Sequence, residues 1–392
     1  MSKEYIKRVF NLTEKLEKRS QFLFGPRRTG KSSYIKNELK TADIKLNWNF
    51  LDNKLYIDAV NNPSLLSQEV RARGITEGIV VIDEVQRVPF LLNEIHMLIE
   101  ETDIKFLLTG SSARKLREQG VNLLGGRASK NIIHPLVYPE IEDREFSLEK
   151  IFKSGLIPEF FLSEDAEVEL LLDDYISEYL VEEIQREANI KKLPQFYHFL
   201  QIVAASSGEQ IVYSNIASDI EMSKDSIREW FSILEDTLLG FMVEPYTKTQ
   251  KRKAVQTSKF YMFDIGVCRA LLNNPVPGEL QTEYGKMFEN YIAMELRAYL
   301  DYNHSKKKLT YWRTRNNFEV DFILGDEVAV ETKTSKNIVV KDMKGLIALK
   351  EETSFKQYII VCREERPRLL DNQILILPYK MFLSKLWKSE IV

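Results

Sequence analysis

Short apolar runs alternate with helix-like periodicities over the first 140 residues. Gln21–Phe24 is a β-rich run that stops at Gly25, and Ser32 to Leu39 reads as a helix. Ile79–Ile82 and Lys105–Leu108 are two further apolar runs, and between them Leu91, Leu92, Ile95, Leu98 and Ile99 fall at helical spacing. Strands that alternate with helices predict parallel βαβ units in an α/β layer fold.

The pattern then changes. Leu170, Leu171, Tyr175, Tyr179 and Leu180 sit among acids, which predicts amphipathic helices. Ser214 precedes a short helix with Ile216, Ala217 and Ile220. Ser223 caps a second helix carrying Ile227, Trp230, Phe231 and Leu234 at i, i+3, i+4 and i+7. Two β-like runs follow, Phe241–Tyr246 and Lys259–Phe263. Helix, turn, helix and hairpin outline a winged helix. The last 110 residues return to α/β: a helix over Phe288 to Leu300, then strands at Leu309–Trp312, Glu319–Leu324, Val328–Lys333 and Gln357–Cys362. The expected organisation is three domains: 1–145, 146–265 and 266–392.

Charge adds to this division. The 55 basic and 58 acidic residues of the 392-residue chain give a net charge of −3. Residues 1–150 carry +3, residues 151–240 carry −12 and residues 241–392 carry +6. An acidic middle between mildly basic ends is a prior for nucleic-acid or interdomain contact. No apolar run approaches the 18 residues of a membrane span. Two cysteines, Cys268 and Cys362, and four histidines offer neither a disulfide framework nor a zinc spacing. The expectation is a soluble cytoplasmic protein.

Candidate chemistry begins at Gly25-Pro26-Arg27-Arg28-Thr29-Gly30-Lys31-Ser32, which matches G-x-x-x-x-G-K-[ST] between a strand and a helix. The glycines let backbone N–H groups curl around phosphate, and the helix N-terminus, including Ser33, favours the anion. Lys31 is expected to reach the β/γ-phosphates and Ser32 to hold Mg²⁺. Val80-Val81-Ile82-Asp83-Glu84 delivers two carboxylates at a strand end: Asp83 for Mg²⁺, Glu84 as general base. After the next strand, Ser111 is the first choice for a contact to the γ-phosphate or the attacking water, Thr109 the second. Arg127, after Gly125-Gly126, is either a transition-state arginine, in cis or from a neighbouring subunit, or a surface residue. Arg27 and Arg28 face phosphate or a partner.

Phe-Gly-Pro-Arg-Arg-Thr-Gly-Lys-Ser, Val-Ile-Asp-Glu-Val-Gln and Leu-Thr-Gly-Ser-Ser…Gly-Gly-Arg resemble the bacterial and archaeal AAA-type ATPase family whose C-terminal domain is uncharacterised. The resemblance extends over the whole chain. It implies a P-loop NTPase parallel-sheet domain, a middle helical/winged-helix domain and a C-terminal α/β restriction-endonuclease-like domain. It also implies ATP as the nucleotide and ring-like homo-oligomers.

A second cluster lies near the C-terminus. Glu331 and Lys333 are two apart on a strand and share a face, and Asp321 stands on the preceding strand. Glu289, on a helix, is a fourth member. The order Glu, Asp, about ten residues, Glu-x-Lys resembles the PD-(D/E)xK nuclease pattern, with Val320 where a proline often stands. The carboxylates Asp321 and Glu331 would bind a metal ion, and Lys333 would orient water or stabilise phosphorane-like charge. The alternative is a hairpin with solvated charges on an inert fold. Trp312, Arg313, Arg315, Lys336, Lys341 and Lys344 flank the motif, and the hairpin loop carries Lys248, Lys251, Arg252 and Lys253. DNA or RNA contact is expected through these regions. Lys224 and Arg228 on the second helix are offset by Asp225 and Glu229. The main expectation is an ATPase whose nucleotide cycle controls this nuclease-like domain. The alternative is an ATP-dependent oligomerising switch.

Overall fold

Five parallel strands form the first sheet, in the order β2-β3-β4-β1-β5. They are β1 (Ser20–Phe24), β2 (Ile44–Asn49), β3 (Glu77–Asp83), β4 (Asp103–Gly110) and β5 (Ala128–Ile132). The computed structural model describes residues 4–112, 114, 116, 124–144, 146–181, 190–249 and 251–392, with the backbone alone at 179–181. The expected apolar faces of Tyr179 and Leu180 therefore lie outside the described side chains.

Every residue of β1 is buried, as are Ile79–Asp83 of β3. Strands covered on both faces lose the two-residue alternation and read as unbroken apolar runs. Phe22, Phe24, Trp48, Val80, Ile82, Ile95, Phe106 and Leu108 share one core. Helices α1 (Thr13–Lys18), α2 (Lys31–Glu38), α3 (Asn53–Asn61), α4 (Leu65–Ala72) and α5 (Leu91–Glu101) belong to the same unit. It comprises Met1–Leu136 with Asp236–Leu239. The register pairs Phe24 with Gly110 and with Ile132, and Ile82 with Leu108. The carboxyl ends of the three central strands thus share one edge, where parallel sheets place their ligands.

The second unit comprises Val137–Glu235 and Gly240–Val392. Its eight-stranded mixed sheet runs β12-β13-β11-β10-β9-β8-β6-β7. The strands are β6 (Gly240–Pro245), β7 (Lys259–Met262), β8 (Leu309–Arg313), β9 (Glu319–Leu324), β10 (Val328–Thr332), β11 (Gln357–Cys362), β12 (Arg368–Leu369) and β13 (Ile374–Pro378). Trp312, Val320, Ile323, Leu346, Ile360 and Ile376 pack together on this sheet. The helix Lys344–Lys350 approaches β9 so closely that a Cβ on Gly345 would lie 1.7 Å from the carbonyl oxygen of Glu319. Only glycine allows that contact.

Residues 146–235, the greater part of the expected middle domain, fall in the same compact unit as the C-terminal segment. Helices Tyr213–Asp219 and Lys224–Asp236 precede the β6–β7 hairpin as anticipated, and Ser223 accepts from the Ser226 N–H at 3.1 Å as the cap. Ser214 lies inside its helix, not before it. The hairpin itself is the edge of the C-terminal sheet: Gly240 pairs with Met262, while Glu244 and Pro245 pair with Thr310 and Tyr311 of β8. A boundary at 265/266 would cut through one sheet. The basic loop of this hairpin is also tied to its own unit. Lys248 pairs with Asp326 at 2.6 Å, and Arg252 pairs with Glu351 at 2.5 Å and Glu352 at 2.8 Å. Among the described residues, no helix is long and apolar enough to cross a membrane.

Candidate functional site

The P-loop leaves β1 at Gly25, whose N–H bonds the Gly110 carbonyl. A Cβ there would meet Ile133 Cγ2 at 2.4 Å and its carbonyl oxygen at 2.5 Å, so the turn admits only glycine. Pro26 accepts from the Thr29 hydroxyl at 2.7 Å, which folds the loop back on itself. Gly30 has φ +96° and caps α2 in the left-handed region. Arg28 also takes a positive φ, 61°. Lys31 is buried, with Nζ 2.7 Å from the Gly25 carbonyl and 3.1 Å from that of Pro26. Ser32 and Ser33 open α2 on its exposed side. Behind the loop, buried Arg8 donates to the carbonyls of Thr29 at 2.8 Å and His134 at 2.6 Å. Arg8 has no place in the motif and escapes sequence reading.

The end of β3 meets this loop. Ser32 Oγ donates to Asp83 Oδ2 at 3.0 Å, and Thr109 Oγ1 donates to Asp83 Oδ1. Thr109 therefore orients the buried aspartate. Glu84 has φ 59° and ψ 44°, left-handed backbone for a non-glycine residue. Gln86 Nε2 donates to Glu84 Oε2 at 2.5 Å and to Ser111 Oγ at 3.0 Å. It joins Glu84, the expected base, to Ser111, the expected contact to the γ-phosphate or the water, and its own Oε1 is buried with no hydrogen-bond partner. Gln86 stands in the Val-Ile-Asp-Glu-Val-Gln motif, but nothing in its spacing assigns it a role. A groove of about 500 Å³ opens beside Ser32 and Asp83, lined also by Lys36, Lys40, Asn47 and Asn49. A serine hydroxyl and an aspartate oxygen at this separation suit Mg²⁺, which prefers hard oxygen ligands.

Arg127 does not join this site. It precedes Ala128, which pairs with Ser20 at the start of β1, whereas the P-loop leaves the end of β1. At 3.3 Å per residue the strand separates them by roughly 17 Å. Arg127 instead pairs with Glu100.

The C-terminal unit does assemble its four expected residues. Asp321 Oδ2 accepts from the Thr332 N–H and Oγ–H, each at 2.7 Å. Lys333 Nζ lies 2.5 Å from Glu331 Oε1, and Glu331 Oε2 is buried without a partner. Glu289 Oε1 accepts from the Tyr261 hydroxyl at 2.6 Å and from Lys259 Nζ at 3.1 Å. Lys259 also lies 2.7 Å from Glu319 Oε1, with a side chain only 3% exposed. Burial, and then the charge of Asp321, pushes the Glu331 carboxyl well above its usual range. Glu289 is raised by burial, opposed by Lys259 and reinforced by Asp321. Burial alone would lower Lys259; Glu289, Tyr261, Glu319 and Asp321 reverse that and raise it. Lys259 and Tyr261 are the residues that sequence reading missed. Their spacing of two, in the run Lys-Phe-Tyr-Met-Phe, was the available signal.

Several flanking cations are spent on the fold. Trp312 is fully buried and offers no stacking face. Arg313 pairs with Glu319 at 3.2 Å and Lys336 with Glu279 at 3.0 Å. Among the described residues, no three His, Cys, Asp or Glu side chains converge as a metal-holding group.

Residues 17–142 match the family model described as AAA domain. Residues 145–277 and 284–382 match two models described as domains of unknown function, DUF8612 and DUF4143. An uncharacterized protein of Mycobacterium tuberculosis is 22% identical over 76% of this chain and 66% of its own length. The chain thus spans just under two thirds of that relative. An uncharacterized protein of Methanocaldococcus jannaschii is 23% identical over 92% of this chain and 84% of its own. A solved structure, the Aeropyrum pernix ORC1 protein in complex with DNA, aligns over 70% of this chain and 96% of that one. Its identity is 13% and its TM-score 0.26, too distant to bear on fold or function. The first unit is thus AAA-like in sequence and a parallel α/β sheet in structure.

Proposed function

We propose that this chain is a Mg²⁺-dependent ATPase whose nucleotide cycle controls a nucleic-acid-binding C-terminal unit. The observation that carries the reading is the Ser32–Asp83 contact at 3.0 Å, which sets the two expected Mg²⁺ ligands side by side. Mg²⁺, when bound, neutralises phosphate charge. Ser32 and Asp83 would hold it, and Lys31 would leave the Gly25 and Pro26 carbonyls for phosphate. Glu84, fixed by Gln86, would take a proton from the attacking water, with Ser111 beside it.

The C-terminal contact is proposed through a groove of about 690 Å³ lined by Lys306 and Lys308, beside Lys248 and Lys307, which pair there with Asp326 and Glu327. Lysines along a groove suit a phosphate backbone. The helix pair before β6 is read as a winged-helix-like packing module, since Arg228 pairs with Asp225 and lies over Tyr213. Arg127, turned away from its own P-loop, would serve only a neighbouring copy in a homo-oligomer. The test is ATP turnover by the purified chain with and without single- and double-stranded DNA and RNA. Stimulation that weakens with salt supports the reading; turnover unaffected by any nucleic acid removes the control.

A second reading is an ATP-dependent switch whose nuclease-like fold is inert. The position of Lys259 between Glu289 and Glu319 favours it. Sedimentation with ATP and with ADP, beside a cleavage assay, separates the two.

A further inference from the structure

A divalent cation in the C-terminal cluster would need several free carboxylate oxygens. Mg²⁺ demands near-octahedral oxygen coordination, and Mn²⁺ favours the same oxygen ligands. One oxygen of each of three carboxylates is already engaged by the protein itself. Asp321 Oδ2 accepts two bonds from Thr332, Glu331 Oε1 holds Lys333, and Glu289 Oε1 holds both Tyr261 and Lys259. Glu319 divides its oxygens between Lys259 and Arg313. Glu331 Oε2 is buried and unbonded, and among the described residues no three acidic, His or Cys side chains form a group that could hold a metal ion. The charge count points the same way. Glu289, Glu319, Asp321 and Glu331 face Lys259, Lys333 and Arg313, and a divalent ion would turn a small negative excess positive.

The two lysines differ in kind. The Lys333 side chain is 33% exposed and can swing to solvent. That of Lys259 is 3% exposed and starts a strand hydrogen-bonded to β6, so it cannot leave without opening the sheet. An ammonium is a compact point charge that binds carboxylates without directional demands, much as a hard cation does.

We propose that the ammonium of Lys259, assisted by Lys333, permanently fills the cation position of this cluster, so that the site takes no metal ion. The inference rests on the inert-fold reading of the same cluster, and the two can fail separately. The experiment is Mn²⁺ titration of the full chain without nucleotide, followed by the electron paramagnetic resonance of free Mn²⁺. An Asp83→Asn background silences the P-loop. That chain is expected to hold no Mn²⁺, Lys259→Met to gain one ion per chain, and further Asp321→Asn to lose it. Where circular dichroism shows Lys259→Met unfolded, Lys259→Gln replaces it. A folded lysine variant that gains no ion overturns the proposal. Mn²⁺ held by the Asp83→Asn chain and released by Asp321→Asn overturns it too. If that Mn²⁺ comes without DNA or RNA cleavage, the inert reading still stands; if cleavage appears and depends on Asp321, both fall.

Discussion

Ser32 and Asp83 are separated by 51 positions in the chain and by 3.0 Å in space, with the serine hydroxyl donating to the carboxylate. Nothing local holds them there. The parallel register of β3, β4 and β1 brings the end of one strand to the loop that leaves another.

Lys31→Ala is expected to abolish ATP turnover and to weaken nucleotide binding. Glu84→Gln should retain binding while turnover falls by about 10²-fold or more, the size expected of a general base. Phosphate release and binding of a fluorescent ATP analogue, measured on both variants, separate the two effects. Normal turnover in either removes that residue from the mechanism.

Gln86→Ala deletes the link between Glu84 and Ser111. One lost positioning hydrogen bond of about 1.4 kcal/mol corresponds to tenfold in rate. The expected result is kcat lowered by about that factor with KM little changed. A change confined to KM would place Gln86 in binding, not in orientation.

Gly25→Ala drives a methyl group into Ile133, 2.4 Å away. Overpacking of this kind costs about 1–3 kcal/mol. Thermal melts should show a less stable chain and nucleotide titration a weaker ligand, because the displaced backbone is the phosphate-binding loop itself.

Glu295 predicts a pH dependence of stability. It is fully buried, accepting from the Tyr138 N–H at 2.8 Å and Trp387 Nε1 at 2.7 Å. Burial raises its carboxyl from 4.5 to about 8, against the hydrogen bonds of Trp387 and Tyr138. Between those values the folded chain keeps a proton that the unfolded chain has released, so this group's contribution falls as pH rises from about 4.5 to 8. The loss is of the order of a few kcal/mol. Urea unfolding at pH 5 and pH 8.5 should show it, and Glu295→Gln should flatten it. An unchanged slope in the variant assigns the dependence elsewhere.

Much of the first site is legible in sequence because a phosphate cradle needs fixed residue types at fixed spacing. Gly25, Gly30, Lys31, Ser32 and Asp83 can be read before any coordinates. Arg127 is not legible in the same way: which end of the sheet it occupies depends on strand order, which is set by long-range pairing. The same holds for the β6–β7 hairpin, whose outline suggested a wing and whose second neighbour is β8. Asp321, Glu331, Lys333 and Glu289 were legible as a pattern, but their partners were not. Lys259 comes from another part of the sheet, and a lone lysine at a strand start looks like an ordinary edge residue. The +6 charge of the C-terminal segment suggested a phosphate-binding face, yet Lys248, Arg252, Arg313 and Lys336 answer acids of their own unit. Net charge counts residues and is blind to which of them are already paired.

The seating of β6 and β7 at the edge of the eight-stranded sheet also limits how this protein can be divided. A fragment beginning at residue 266 would expose β8 as a bare edge and leave Glu289 and Glu319 without Lys259. Such a fragment would be short of both a strand and a counter-charge. A piece of this chain that keeps the eight-stranded sheet whole starts upstream of Gly240 and takes the hairpin with it.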